Sequence, residues 1–329
     1  MLSQLLNHKY LNHQYLKKYL FIFLIFGLGL ITGLIFLPPK KINTDSDSNR
    51  QLGFRLISPL LECNESASNN QASALENELQ DLINKRISRG EIKNASLYYR
   101  DLNNGPWINI NGDQKFSPSS LLKVPILIAY LKIAESDPSI FNKKITINQT
   151  DNISDISQNI IPLKQVQIGN EYTVNELLEY MIEYSDNIAA NSLIQNCPTA
   201  ILDNVYADLN LANPLSGNSE NFMTVKTYSL FFRILYNASY LNREMSEKAL
   251  TLLTRTNYYS GLVAGVPLNV PLAHKFGERG LPEGKQLHDC GIIYKTSRHY
   301  LLCIMTRGDD FNLMKNVIKD LSKIIYEKQ

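Results

Sequence analysis

The 329-residue sequence predicts an α/β chain of the α+β kind, with one antiparallel sheet of about five strands assembled from both ends of a domain. Three observations carry this prediction. Strand-like runs are confined to residues 94–111 and 271–306. The stretch between them reads as helices. Each strand cluster is punctuated by hairpin signals, not by the crossover helices of a doubly wound parallel fold.

Taken in order, SALENELQDLINKRI (73–87) places Leu75, Leu79, Leu82 and Ile83 on one helical face behind a Ser start signal. NASLYYRDL (94–102) and PWININ (106–111) are strands joined by Asn-Asn-Gly, a turn sequence. SSLLKVPILIAYLKIAE is almost wholly apolar and predicts a buried helix. A helix-rich middle extends to about Thr254. PLAHKF (271–276), DCGIIYK (289–295) and HYLLCIMT (299–306) are the closing strands, and NLMKNVIKDLSKIIYE is the last helix.

Before this domain, Leu20 to Leu37 is an 18-residue run without a charge. As a helix it would be about 27 Å long, near the hydrocarbon thickness of a bilayer. Its apolar length and the absence of a small-residue cleavage site favour an uncleaved signal anchor over a signal peptide or a buried helix. Lys9, Lys17 and Lys18 precede it, and Lys40 and Lys41 follow. The expected organisation is a cytoplasmic tail (1–19), a transmembrane anchor (20–37), a linker (38–72) and an extracytoplasmic domain (73–329) on the cell membrane. Within the linker, LGFRLISPLLE is apolar and could dock on the domain or on the membrane surface, the domain being the expected place.

Composition excludes several classes. The chain is 44% apolar and 19% charged, so a packed core is expected and wholesale disorder is not. The first 41 residues hold five lysines and no acid, which leaves 28 of the 33 basic residues for all 31 acids. A net charge of +2 with that distribution speaks against nucleic-acid binding. Four cysteines without C-x-x-C spacing and five scattered histidines propose no metal site, and no cofactor is expected.

Chemistry concentrates in three short segments. Ser120-Leu121-Leu122-Lys123 is the one S-x-x-K in the chain. Residues three apart on a helix share a face, so the Lys123 amine can lie beside the Ser120 hydroxyl, and burial would let that amine act as a base. Ser185-Asp186-Asn187 interrupts an amphipathic pattern, and Asp186 or Asn187 would recap the helix that follows. In Lys275-Phe276-Gly277, Gly277 would admit a close approach to the backbone and Lys275 could hold an anion or tune a neighbouring proton transfer.

In this order, S-x-x-K, S-D-N and K-x-G resemble serine β-lactamases and penicillin-binding proteins, and the flanks narrow the likeness to class A β-lactamases. Phe116 stands four residues before the serine, Tyr172-Thr173-Val174 precedes S-D-N, Ile188-Ala189-Ala190-Asn191 follows it, and Ala264-Gly265-Val266-Pro267 precedes Lys275. The resemblance covers about 73–329. It implies a three-layer sandwich plus an all-helical lobe, with the site between them. It also implies Ser120 as nucleophile, Lys123 as its proton acceptor, and Ser185 as proton shuttle to the leaving nitrogen. Asn187 would hold the substrate amide, and Lys275 would support the anionic substrate and the proton relay. Backbone N–H groups of Ser120 and of Glu278, after Gly277, would form the oxyanion hole.

The departures are equally specific. No E-x-x-L-N motif, the usual source of the glutamate that activates the deacylating water, occurs between Asn187 and Lys275. Asp208 and Glu220 are the nearest alternatives, outside the pattern. Phe276 stands where a hydroxyl is usual, and Cys290 where an arginine is frequent. The expected function is a serine hydrolase that acylates with a β-lactam or a D-Ala-D-Ala-like cell-wall peptide and deacylates slowly. An efficient class A β-lactamase and a catalytically weak cell-wall-binding module are the alternatives. Should the last hairpin centre between Thr296 and Ser297, Cys290 and Cys303 face each other, as a disulfide or as two buried thiols.

Overall fold

The computed structural model describes residues 54–59, 70–103, 105–148, 158–211, 221–281, 284–296 and 298–329. The anchor expected at 20–37 lies outside them. Among the described residues no helix is long and apolar enough to cross a membrane.

Helix α1 (Asn70–Ser88) leads into β1 (Asn94–Asp101) and β2 (Trp107–Ile110), as the periodicities require. Short β3 (Lys115–Phe116) precedes a 3-10 turn (Ser119–Leu122) that runs into α2 (Lys123–Ala134). Strands β4 (Lys144–Thr146) and β5 (Glu171–Thr173) form a two-stranded ribbon beside α3 (Val174–Glu183). Then come α4 (Asn187–Asn196), α5 (Thr199–Ala207), β6 (Met223–Thr224), α6 (Val225–Tyr236) and α7 (Arg243–Leu253). Strands β7 (Leu272–Leu281), β8 (Gly284–Lys295) and β9 (Arg298–Gly308) and helix α8 (Phe311–Lys328) close the chain.

The main sheet has the order β2-β1-β9-β8-β7, all antiparallel. The central β1–β9 pair joins the two ends of the domain, as expected. Alternation along the strands gives each face its own core. Leu97, Tyr99, Leu302 and Ile304 pack toward α1 and α8, while Tyr98, Ile292, Leu301 and Met305 pack toward the inner helices. Three layers result, with α1 and α8 outside, the sheet in the middle and the helical lobe beyond. The last three strands extend past the apolar runs that mark them in the sequence, because hydrogen-bond pairing continues where side chains turn polar.

Lys295 pairs with Arg298, so the last hairpin has the expected centre, and Cys290 lies opposite Cys303. The structure resolves the open choice in favour of a disulfide between them.

The apolar linker segment docks on the domain where it is described. Ile57 is buried, the Ser58 N–H donates to the Tyr236 carbonyl, and the Leu56 carbonyl accepts from the Tyr294 hydroxyl. The Glu247 carboxylate accepts from the N–H groups of Arg55, Leu56 and Ile57 at 2.9–3.2 Å. Replacing Glu247 by Ala leaves these donors without their acceptor. It is expected to cost about 1.5–3 kcal/mol, the range for hydrogen bonds to a charged group, read by urea denaturation, with faster proteolysis between residues 54 and 59.

Candidate active site

Packing brings the three sequence segments together, and a local chain reversal shapes two of them. Ser119 has a left-handed backbone (φ 52°), which turns the chain sharply at the first residue of the 3-10 turn that carries Ser120. Two side chains of β8 pin this elbow. Gln286 Oε1 accepts from the Ser117 N–H at 3.0 Å, and His288 Nε2 lies 2.9 Å from the Ser117 carbonyl. Burial pushes the His288 imidazole down to about 4, so it is neutral at pH 7 and donates to that carbonyl. The second reversal is Ser185 (φ 57°), in a conformation unfavourable by roughly 1–2 kcal/mol for a residue with a Cβ. Asp186 holds it in place. Its buried carboxylate caps α4 by accepting from Ile188 and Ala189, and accepts from the Val166 N–H at 2.7 Å. Of the two caps the sequence allowed, Asp186 is the one used.

Lys123 lies at the centre. Its Nζ is 2.9 Å from Ser120 Oγ, 2.7 Å from the Ser185 carbonyl, 2.6 Å from Asn187 Oδ1 and 3.1 Å from Ser185 Oγ. Lys275 Nζ approaches the same hydroxyl, donating to Ser185 Oγ at 2.9 Å. Burial pushes the Lys123 ammonium down to about 7, against the opposing pull of Asp186 and Glu278. Lys275 is held well below the ordinary lysine range by burial and then by the neighbouring Lys123. A neutral Lys123 fits the contacts well: two N–H groups serve the Ser185 carbonyl and Asn187 Oδ1, which can only accept, and the lone pair is left for the Ser120 hydroxyl proton. Ser120 is half-buried, whereas Lys123, Ser185 and Lys275 are buried.

Strand alternation places Ala273, Lys275 and Gly277 toward the helical lobe and His274, Phe276 and Glu278 toward the other face. Gly277 is needed for a reason the sequence did not show. A Cβ there would lie 2.7 Å from the Pro118 carbonyl oxygen and 3.1 Å from the Leu121 nitrogen, so the close approach is that of the Ser120 elbow itself. Phe276 brings no polar group. Its ring stacks on Tyr258 at 4.2 Å between centroids, and Lys275 Nζ lies 4.1 Å from its centre.

The seven residues singled out in the sequence fall around this cluster, Glu278 through a side chain that sequence reasoning did not use. Its carboxylate accepts from the Ile160 N–H at 2.6 Å and from Asn159, and burial nonetheless raises its pKa. Gln158 was also missed, and its Nε2 donates to the Ser185 carbonyl at 2.9 Å. It sits in a polar stretch without period, where no sequence signal marks it. Asp208 is exposed and accepts from the Tyr240 hydroxyl, and Glu220 lies outside the described residues. Among the described residues no group of His, Cys, Asp and Glu has the arrangement to hold a metal ion.

Comparison with known proteins identifies the family and the fold. A family model described as "Beta-lactamase enzyme family" matches residues 74–329. Beta-lactamase CTX-M-97 of Escherichia coli is 29% identical over 124 residues, 38% of this chain and 39% of that protein. Beta-lactamase VEB-1 of Pseudomonas aeruginosa is 22% identical over 243 residues, 67% and 80% of the two chains. The chain thus spans about two fifths of the length of the first relative and four fifths of the second. Among solved structures, a mutant of PBP-A as an acyl-enzyme complex with penicillin G superposes with a TM-score of 0.66 at 23% identity, covering 78% of this chain and 96% of that one. The TLA-1 extended-spectrum beta-lactamase gives 0.67 at 16%, covering 79% and 99%. At these identities the structural likenesses establish the fold.

Proposed function

We propose, from the premise that the chain belongs to the beta-lactamase enzyme family over residues 74–329, that it is an active-site serine hydrolase acting through an acyl-enzyme on Ser120. The observation that carries this reading is the 2.9 Å contact between Ser120 Oγ and Lys123 Nζ, an amine whose burial lets it take a proton near neutral pH. The substrate is an amide, either a β-lactam or a D-Ala-D-Ala-like cell-wall peptide. Ser120 Oγ attacks the carbonyl carbon as Lys123 takes its proton. The C–N bond then breaks, and Ser185, bonded to both lysines, passes a proton to the leaving nitrogen. Asn187 and the N–H groups of Ser120 and Glu278 hold the amide and the developing oxyanion. Water finally cleaves the ester.

Deacylation is slow in this reading. Among the described residues, the carboxylates that act on the two lysines are Asp186, which caps α4, Asp289, which accepts from the Leu262 N–H and contacts His274, and Glu278, which binds residues 159 and 160. In this reading none of these described carboxylates serves as the deacylating base, and since a positioned base contributes typically about 10²–10⁴-fold to such a step, the acyl-enzyme persists. The run 20–37 is read as the anchor that keeps the domain on the extracytoplasmic face of the cell membrane, and the Cys290–Cys303 disulfide supports an oxidising compartment.

The test incubates the full chain in detergent with a fluorescent penicillin, a chromogenic cephalosporin and a panel of D-Ala-D-Ala peptides. The expected result is a one-to-one adduct on the peptide containing Ser120 that persists long after free penicillin is removed. Rapid cephalosporin turnover without lasting label would replace slow deacylation by efficient hydrolysis. No adduct and no peptide cleavage would end the acyl-transfer reading.

A further inference from the structure

Residues 158–160 join the Ser185 reversal to β7. At one end Gln158 donates to the Ser185 carbonyl at 2.9 Å. At the other, the Ile160 N–H and Asn159 donate to the Glu278 carboxylate on β7. Contact with the strand is close, since a Cβ on Gly280 would lie 2.6 Å from Asn159 Nδ2. β7 is an edge strand of the sheet, and the strap occupies its Glu278–Gly280 stretch, next to the Lys275–Gly277 stretch that flanks Ser120.

Among the described residues, few apolar contacts accompany these polar ones. Ile160 is half-buried against the sheet, but Ile161 and Leu163 are 82% and 74% exposed. Lifting the strap therefore uncovers little apolar surface. The next described contacts along the chain are Lys164, whose Nζ lies 5.4 Å from the Tyr184 ring centre, and Val166, through its N–H to buried Asp186. In its described contacts the segment is held by the Glu278 carboxylate at one end and the Ser185 carbonyl at the other, the arrangement of a clasp.

We infer that Glu278 is a specificity-determining residue: by clasping Asn159 and Ile160 it shuts the Ser120 cleft at the Glu278–Gly280 end, admitting acyl donors that are slender there and refusing bulky ones. Selection among acyl donors rests on the acyl-transfer reading above; the clasp itself does not.

Accessibility at position 120 tests it without any catalysis. Ser120→Cys in the full chain is labelled with a small methanethiosulfonate and, separately, with a bulky maleimide-polyethylene glycol, after subtraction of labelling in the Ser120 chain. Minor open states are typically populated at roughly 0.1–10%, so adding Glu278→Ala is expected to speed bulky labelling about tenfold or more while small-reagent labelling changes less than about twofold. Gln158→Ala, which cuts the opposite anchor, carries the same expectation and serves if the Glu278 variant fails to fold. Equal acceleration of both reagents, or none of either, overturns the inference. Wild-type chain incubated with penicillin in parallel separates the two ideas, because a missing adduct there ends the acyl-transfer reading while the labelling ratio still decides the clasp.

Discussion

Replacing Lys123 by Met is expected to lower the rate of Ser120 acylation by about 10²–10⁴-fold, the range for removal of a general base. Methionine fills a similar volume and keeps the site dry, but it can neither accept the Ser120 proton nor donate to the Ser185 carbonyl and Asn187 Oδ1. The pH profile distinguishes lost proton transfer from mere disturbance. Below about 7 Lys123 is an ammonium with no lone pair, and above it the amine prevails. In the wild-type chain, kcat/KM for acylation should therefore rise roughly tenfold per pH unit up to about 7 and level off above, as for a single base that must be deprotonated. The Met variant should lose that slope along with the rate. Stopped-flow measurement of fluorescent penicillin incorporation between pH 5 and 9 reads both. A wild-type rate that falls as pH rises through 7 would assign the proton acceptor to another group.

Gly277→Ala is expected to damage both stability and acylation, although it adds one methyl group at a position that touches no proton-transfer atom. The new Cβ would meet backbone, Pro118 O at 2.7 Å and Leu121 N at 3.1 Å, so no side chain can rotate away. Nor can the elbow retreat freely, since Gln286 and His288 hold Ser117 from β8. Overpacking of this kind costs about 1–3 kcal/mol, read as a lower urea midpoint. Moving Ser120 by about 1 Å relative to Lys123 is expected to slow acylation by roughly 10²-fold. Gly308→Ala is the control, because a Cβ there meets Met314 Cγ at an ordinary 3.4 Å and should change neither quantity. If Gly277→Ala acylates at the wild-type rate, the tight seating of the elbow against β7 is not what positions the nucleophile.

Much of this molecule was legible in its sequence, and the reasons are local. Apolar period fixed the outer helices and the central strands, because α1, α8 and the sheet each bury one face and repeat at 3.6 or 2 residues. The last hairpin could be centred between Thr296 and Ser297 because polar turn residues separate two long apolar runs, and the Cys290–Cys303 pairing followed from that register. Ser120 and Lys123 were readable together because three residues of helix carry both to one face. Asp186 was readable as a cap, since a short acidic side chain before a helix has few other uses.

Tertiary structure alone decided the rest. Residue spacing cannot show that Lys275 and Lys123 share the Ser185 hydroxyl across separations of 90 and 62 residues, nor how far burial displaces their proton equilibria. Desolvation belongs to a packed interior and has no counterpart in a list of residues. The sequence likewise named Gly277 without its reason, which is the carbonyl of Pro118 packed against it. It was silent on Gln158, Asn159 and Ile160, whose polar run carries no period, and on the side chain of Glu278 that binds them. Local chemistry and periodicity were determined by the sequence; which distant groups meet, and in how dry a place, was settled by packing, because only packing sets distance and dielectric together.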